Sequence, residues 1–230
     1  MTRPSLRCRP PGLLRCHLAA LVLLLGARGQ AEDAGSDALL ARIAGVHQAL
    51  ATADGRLSQR TTRRDNGETT AGETLTATFY LAFPDHYCLI YSKPSDPEWR
   101  HSFLSDGTDR WEIQRLSNDD PPDRKQARVG QDDAQWRRLL ACFRFDVPVL
   151  SKDFALHAAP VTDAGAATTR VTLTPSTPEA KEQVIGMVLE FDKEDHLVHL
   201  GVDDPQGNHY AVEVVEAHYG RPIDPGIFKP

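Results

Sequence analysis

Between Glu73 and Pro94 the chain reads ETLTATFYLAFPDHYCLIYSKP, and apolar and polar residues alternate through it almost without a break. Leu75, Ala77, Phe79 and Leu81 share one face; Thr74, Thr76, Thr78 and Tyr80 share the other. After Pro84 the same period resumes with Tyr87, Leu89 and Tyr91 on one face. Period-two alternation is the pattern of strands with one face buried, and antiparallel sheets tolerate a solvated second face. This stretch therefore commits the chain to antiparallel β-structure with an unusually greasy inner side.

The rest of the chain extends that pattern. Strand-like segments are expected at residues 56–64, 74–83, 86–92, 99–105 and 108–116, then at 154–158, 169–174, 183–191, 196–202 and 209–217. Ser105-Asp106-Gly107-Thr108 reads as a hairpin turn. A helix is expected over 37–53, capped by Ser36, with Leu39, Ile43, Val46 and Leu50 at helical spacing and Asp54-Gly55 as its stop. A second helix is expected over 133–143, with Trp136, Leu139, Leu140 and Phe143 on one side and Pro148 limiting its extension. Residues 117–131, with Pro121-Pro122 and many charges, read as a long loop or mobile edge. Ten or so strands and two helices with narrow apolar faces predict a mainly β fold with helices (α+β). Its large antiparallel sheet curls on itself around a packed core or a cavity.

The first 31 residues carry Arg3, Arg7, Arg9 and Arg15, an apolar run from Leu18 to Leu25, and small residues at Ala27, Gly29 and Ala31. That is the form of a cleaved secretory signal peptide, and the run is shorter than the ~20 residues a spanning helix needs. Cleavage after Ala31 leaves a single domain of 199 residues, 32–230. Five arginines and no acid leave with the leader, which takes the net charge from −6 to −11. Such an acidic chain without a run of basic residues is a poor partner for nucleic acid or an anionic membrane. Cys88 and Cys142 remain after cleavage. In an oxidising compartment they are either a disulfide or two separate buried thiols.

Chemistry is sparse. His196 and His199 lie three apart on an expected strand and so face opposite sides, which denies them a shared metal. No G-x-S-x-G, C-x-x-C or phosphate-cradling glycine loop is present. Asp119-Asp120 and residues 192–195 lack the spacing of a calcium loop. The expectation is a binding protein, not an enzyme, with no catalytic residue, no metal and no cofactor.

Phe79-x-x-x-Phe83-Pro84, then Phe103-Leu104-Ser105-Asp106-Gly107-x-x-x-Trp111, resembles the periplasmic outer-membrane lipoprotein carrier (LolA) family. So do Leu173-Thr174-Pro175, the run from Leu197 through Val202-Asp203-Asp204 to Gly207-Asn208, and the ending Ile223-Asp224-x-x-x-Phe228-Lys229-Pro230. The pattern spans nearly all of residues 32–230. The resemblance implies an incomplete, strongly curved antiparallel β-barrel, a half-barrel lidded by α-helices, that shields acyl chains. Its partners would be the acyl chains of a lipoprotein or lipid, an inner-membrane ATP-driven extractor and an outer-membrane receptor, with the carrier itself a monomer in the periplasm.

In the family's register the cavity would be lined by Leu75, Ala77, Phe79, Leu81, Phe83, Tyr87, Leu89, Tyr91, Phe103 and Trp111. Leu39, Ile43, Val46, Leu50, Leu139, Leu140 and Phe143 would form the lid. A one-residue slip would invert every strand assignment. Leu81→Glu is accordingly expected to abolish lipid retention in a folded protein. The chain departs from the family at Phe83, where the resemblance implies an Arg latch that ties the lid shut. Here the lid must be held by packing or by a Cys88–Cys142 link, and the cargo is open to a glycolipid or a biosynthetic lipid intermediate. A lipid sensor or adaptor of the RseB-like type is the alternative, although such proteins carry a second domain for which 199 residues leave no room.

Overall fold

A computed structural model describes residues 35–65, 68–117, 119, 121–129, 134–163 and 166–230. The expected leader, the expected start of the second helix at Asp133 and the side chain of Trp136 lie outside the described residues. A helix over residues 35–48 (α1) is followed by β1 (Thr52–Asp65), β2 (Glu68–Ala82), β3 (His86–Lys93), β4 (Asp96–Asp106), β5 (Asp109–Arg115) and β6 (Asp123–Arg128). Helices α2 (Ala134–Arg144) and α3 (Val147–Leu150) interrupt the strands. The chain then continues through β7 (Phe154–Asp163), β8 (Ala166–Pro175), α4 (Pro178–Gln183), β9 (Gly186–Phe191), β10 (Leu197–Asp203) and β11 (Asn208–Tyr219). A 3-10 helix, Pro225–Phe228, closes it.

All eleven strands form one sheet in the order β6-β5-β4-β3-β2-β1-β11-β10-β9-β8-β7. Each neighbouring pair is antiparallel. The terminal strands β6 and β7 are not paired with one another, so the sheet is open. β1 and β11 bring the two halves together at its centre. Between them the register slips: Arg56 faces Glu216 but Leu57 faces Val214. Val215 is the extra residue of that bulge, which is why this large apolar side chain is 60% exposed. Gly55 sits beside the bulge, where a Cβ would stand 2.0 Å from the Glu216 carbonyl oxygen. Only glycine fits so close an approach of two backbones.

The apolar residues collect in three clusters. On the inner face of β7–β10, Phe154, Val171, Leu173, Leu189, Phe191 and Leu200 pack under Leu40, Ile43 and Ala44 of α1 and Cys142 of α2. On the inner face of β1–β3, Leu57, Ala77, Phe79, Leu81, Tyr87 and Leu89 pack against Leu139, Leu140 and Phe143 of α2. The third lies on the outer face of β3–β5, where Cys88, Leu104, Trp111 and Ile113 receive Phe228 of the 3-10 helix. Thus α2 bridges the two inner clusters.

Several expectations are corrected here. Ser36 does not cap α1: its hydroxyl accepts from the Ala158 N–H at 2.8 Å and ties the helix to the edge strand β7. The helix ends at residue 48, and Asp54-Gly55 belongs to β1, since the bulge and not a stop signal demands that glycine. The charged stretch 117–131 contains β6, whose residues pair from Asp109↔Arg128 to Gln114↔Asp123. An edge strand exposed on both sides carries no alternation to read. The strand expected from Gln183 begins only at Gly186, and residues 178–183 are α4, with Thr177 accepting from the Ala180 N–H at 3.2 Å and Pro178 in the first turn. That Thr-Pro start is a readable helix signal. Pro148 likewise opens α3, where Asp146 caps the Val149 N–H at 3.2 Å. The Ser105–Thr108 hairpin forms as read, with Gly107 at φ +82° and the Asp106 carboxylate accepting from the N–H groups of Thr108 and Asp109.

Candidate acyl-chain cavity

The curl of the sheet leaves a cavity of about 890 Å³ between its inner face and the helices. Its walls come from both halves: Leu57, Leu75, Tyr91 and Phe103 on β1–β4, and Met187, Leu200, Val202 and Val212 on β9–β11. Leu139 and Phe143 of α2 roof it. One cavity lined by β5 and by β9 is the direct sign that the open sheet is strongly curved. Tyr91 and Phe103 meet edge to face with ring centres 6.1 Å apart, and burial pushes the Tyr91 phenol up to about 12. The polar groups of the lining are His101, Glu112, Gln59, Arg138, Asp204 and Tyr210, together with Glu182, Gln183 and Gln206.

Below Phe143 lies a second, nearly closed pocket of about 10 Å³, lined by Leu50, Phe79, Leu81, Phe83, Leu197, Val214 and Tyr219. Phe143 lines both spaces, and its ring stands 5.8 Å from that of Phe79.

The structure divides the expected cavity residues into four groups. Leu75, Tyr91 and Phe103 line the large cavity. Phe79, Leu81 and Phe83 line the small pocket. Ala77, Tyr87 and Leu89 face inward in the packed cluster. Trp111 faces outward, because Leu104 is its cross-strand partner whereas Phe103 is opposite Glu112. On β5 the apolar alternation serves the outer cluster, and Glu112 is what the strand presents to the cavity. Of the lid residues, Leu139 and Phe143 reach the cavity and Leu50 the small pocket. Leu140 packs on the β1–β3 cluster, Ile43 and Leu39 on the β7–β10 cluster, and Val46 is half-buried.

Cys88 and Cys142 are free and buried, in clusters on opposite faces of the sheet. Burial raises the Cys88 thiol to about 11 and the Cys142 thiol to about 12. The two are not joined, so no Cys88–Cys142 disulfide ties α2 to the sheet. Packing does, and so does a contact absent from the expectations: the Arg144 guanidinium lies over the Phe83 ring, 5.6 Å from its centre.

Sequence reasoning missed the second half of the wall, Met187, Leu200, Val202 and Val212, although Met187, Leu189 and Phe191 alternate visibly. It also passed over His47. This residue of α1 is 1% exposed, with Nδ1 3.0 Å from the Phe143 carbonyl oxygen and Nε2 2.9 Å from the Asp195 carbonyl oxygen. Arg42 clamps the same Asp195 through two hydrogen bonds of 2.8 and 2.7 Å. The two side chains fix α1 to α2 and to the β9–β10 turn. Among the described residues no group of three or more His, Cys, Asp or Glu stands close enough to hold a metal ion, and no helix is long and apolar enough to cross a membrane.

No protein-family model matches the chain, and no curated protein does. Solved structures similar to it include a DUF1329 family protein from Desulfovibrio piger, at 14% identity and a TM-score of 0.42 over 86% of this chain and 97% of that one. A LolA superfamily protein from Nitrosomonas europaea is similar at 9% identity and a TM-score of 0.42, over 85% and 97%. A domain from Vibrio parahaemolyticus, named for outer-membrane lipoprotein sorting, is similar at 8% identity and a TM-score of 0.38, over 82% and 94%.

Proposed function

We propose that this protein is a periplasmic carrier that shields the acyl chains of a lipoprotein or lipid while they cross from the inner to the outer membrane. The observation that carries the reading is the 890 Å³ apolar-walled cavity under a roof of one helix. A methylene is about as large as a water molecule, which occupies ~30 Å³ in the liquid, so the space holds roughly 30 methylenes, or two chains of about 15 carbons. Burial of each methylene is worth about 0.8 kcal/mol, which retains the chains without any specific polar contact. Loading and release then require no bond chemistry, only partners that offer and accept the chains. The sequence resemblance implies an ATP-driven extractor on one side and an outer-membrane receptor on the other. The 199-residue single domain acts alone in this reading.

Native mass spectrometry of the protein purified gently from periplasm, followed by lipid extraction, tests the reading. A one-to-one acylated cargo is the expected result. A protein that emerges empty and takes up neither lipid nor a hydrophobic dye would make the inner face ordinary core and overturn the proposal.

A further inference from the structure

The polar groups of the cavity lining are poorly suited to a phosphate. Arg138 is the guanidinium of the lining, and it is already committed: Nε donates to Asp153 Oδ2 at 2.8 Å and Nη1 donates to Gln183 Oε1. His101 Nε2 stands 2.9 Å from Glu112 Oε1. Two lysines reach lining residues and are likewise paired. Lys125 Nζ is 3.9 Å from Glu112, and Lys93 Nζ is 3.5 Å from Glu73 while lying 4.7 Å over the ring of Trp99, itself part of the lining. Phosphate sites use uncommitted guanidinium forks or helix N-termini. Among the described lining residues every cation has a carboxylate or carbonyl partner, while Glu182 and Asp204 add two further negative charges. Burial pushes the Asp204 carboxyl up, but hydrogen bonds from the Asn208 side-chain amide and backbone N–H, the Tyr210 hydroxyl and the Gln206 N–H together outweigh it and hold the group below its usual range.

Apart from its carboxylates and Arg138, what the lining offers a head group is uncharged. Gln59, Gln183 and Gln206 carry amides, Tyr210 a hydroxyl, and Trp99 a flat face. Amides and phenols both give and accept the hydrogen bonds that hydroxyl groups make, and carboxylates accept them. We infer that the cargo is a two-chain lipid with an uncharged, hydroxyl-rich head group, and that Glu112 and Glu182 are specificity residues that reject anionic heads. The inference rests on the carrier reading and narrows it. The lining sets three carboxylates, Glu112, Glu182 and Asp204, against one guanidinium, so a phosphate brought into it meets net repulsion between like charges.

The test is retention by the lipid-free protein of two lipids with identical acyl chains: a monoglucosyl diacylglycerol and the corresponding phosphatidylglycerol. The glucosyl lipid should be retained at least about tenfold better, and the preference should shrink as salt rises. The double variant Glu112→Gln/Glu182→Gln alters two side chains outside the packed clusters, and it should raise phosphatidylglycerol retention relative to that of the glucosyl lipid. Equal retention of both lipids by the unaltered protein, or a preference for phosphatidylglycerol, would overturn the inference and leave the carrier standing. Retention of neither would overturn both. A charge-neutral double variant with an unchanged preference would remove the two glutamates from the account.

Discussion

The Arg144 guanidinium of α2 lies over the Phe83 ring, 5.6 Å from its centre. Phe83, where the resemblance implies an Arg, is therefore the acceptor of a cation that comes from α2. The Phe83 N–H meanwhile donates to the Ala51 carbonyl at 3.0 Å, which fixes the ring at the corner between α1 and β2. A cation over an aromatic face at a partly exposed site contributes about 0.5–1 kcal/mol. Arg144→Ala should cost that much in urea unfolding, and a double-mutant cycle with Phe83→Leu should recover most of it as coupling. Additive costs would mean that the two side chains merely lie near one another.

Leu75 and Leu81 share a face of β2 but not a fate. Leu75 is half-buried on the cavity wall, whereas Leu81 is 1% exposed inside a packed cluster. Leu75→Glu should leave the protein folded and lower lipid retention at least about tenfold. Leu81→Glu, expected from sequence to act the same way, should instead destabilise the fold by about 4 kcal/mol or more, because a carboxylate is forced among side chains that cannot solvate it. Circular dichroism melts and lipid retention measured together separate the two. A folded Leu81→Glu protein would show that the small pocket opens readily.

The contrast shows what the sequence could reveal. Period-two alternation at 75–81 and 87–91 gave the strands, because two faces of unlike polarity are written into residue order; which face turns inward came from the family resemblance and not from the pattern. It could not say how far along a strand the packed cluster ends and the cavity begins, since that depends on which side chains α2 brings down from 60 residues away. On β5 the family register placed Trp111 inside, although its apolar face serves the outer cluster around Phe228. Alternation identifies two faces but not which one a short strand turns to the core. The bulge at Val215 and the edge strand β6 left no pattern because their residues are set by backbone geometry and solvent exposure.

Cys88 and Cys142 are separated by the sheet, with thiols raised by burial to about 11 and about 12. A thiol must ionise and be reached to react. Both should resist alkylation in the native protein at pH 8 and react together on unfolding, and a reductant should not move the melting temperature. An intact mass short by the hydrogens of a disulfide would contradict the arrangement.

Phe143 lines both the large cavity and the small pocket. Phe143→Ala should join the two, at a stability cost of about 2 kcal/mol for the lost apolar contacts of one ring. The joined space should accept a longer chain, so the chain-length optimum for fatty-acyl probes should move upward. A protein equally destabilised but with an unchanged optimum would mean that neighbouring side chains fill the gap.

His47 meets a carbonyl oxygen at each ring nitrogen, Phe143 at 3.0 Å and Asp195 at 2.9 Å. A neutral imidazole donates from one nitrogen only, so both contacts are satisfied only when the ring carries two protons. Burial opposes that charge more strongly than the carbonyls favour it; the neighbouring His196 adds to the opposition and the carboxylate of Asp195 offsets part of it, and the net effect lowers the His47 pKa from 6.5. The folded state therefore takes up its proton later than the unfolded chain does as pH falls. The contribution to stability is complete above pH 6.5 and is lost as pH drops from there through the lowered folded pKa. Urea unfolding at pH 7.5, 6 and 5 should show stability falling towards acid, and His47→Gln should remove that part of the slope even if it destabilises the protein at every pH. A slope that His47→Gln leaves unchanged would assign the acid sensitivity to the surface carboxylates. A slope of the opposite sign would mean that the doubly protonated ring, held by both carbonyls, is the native form.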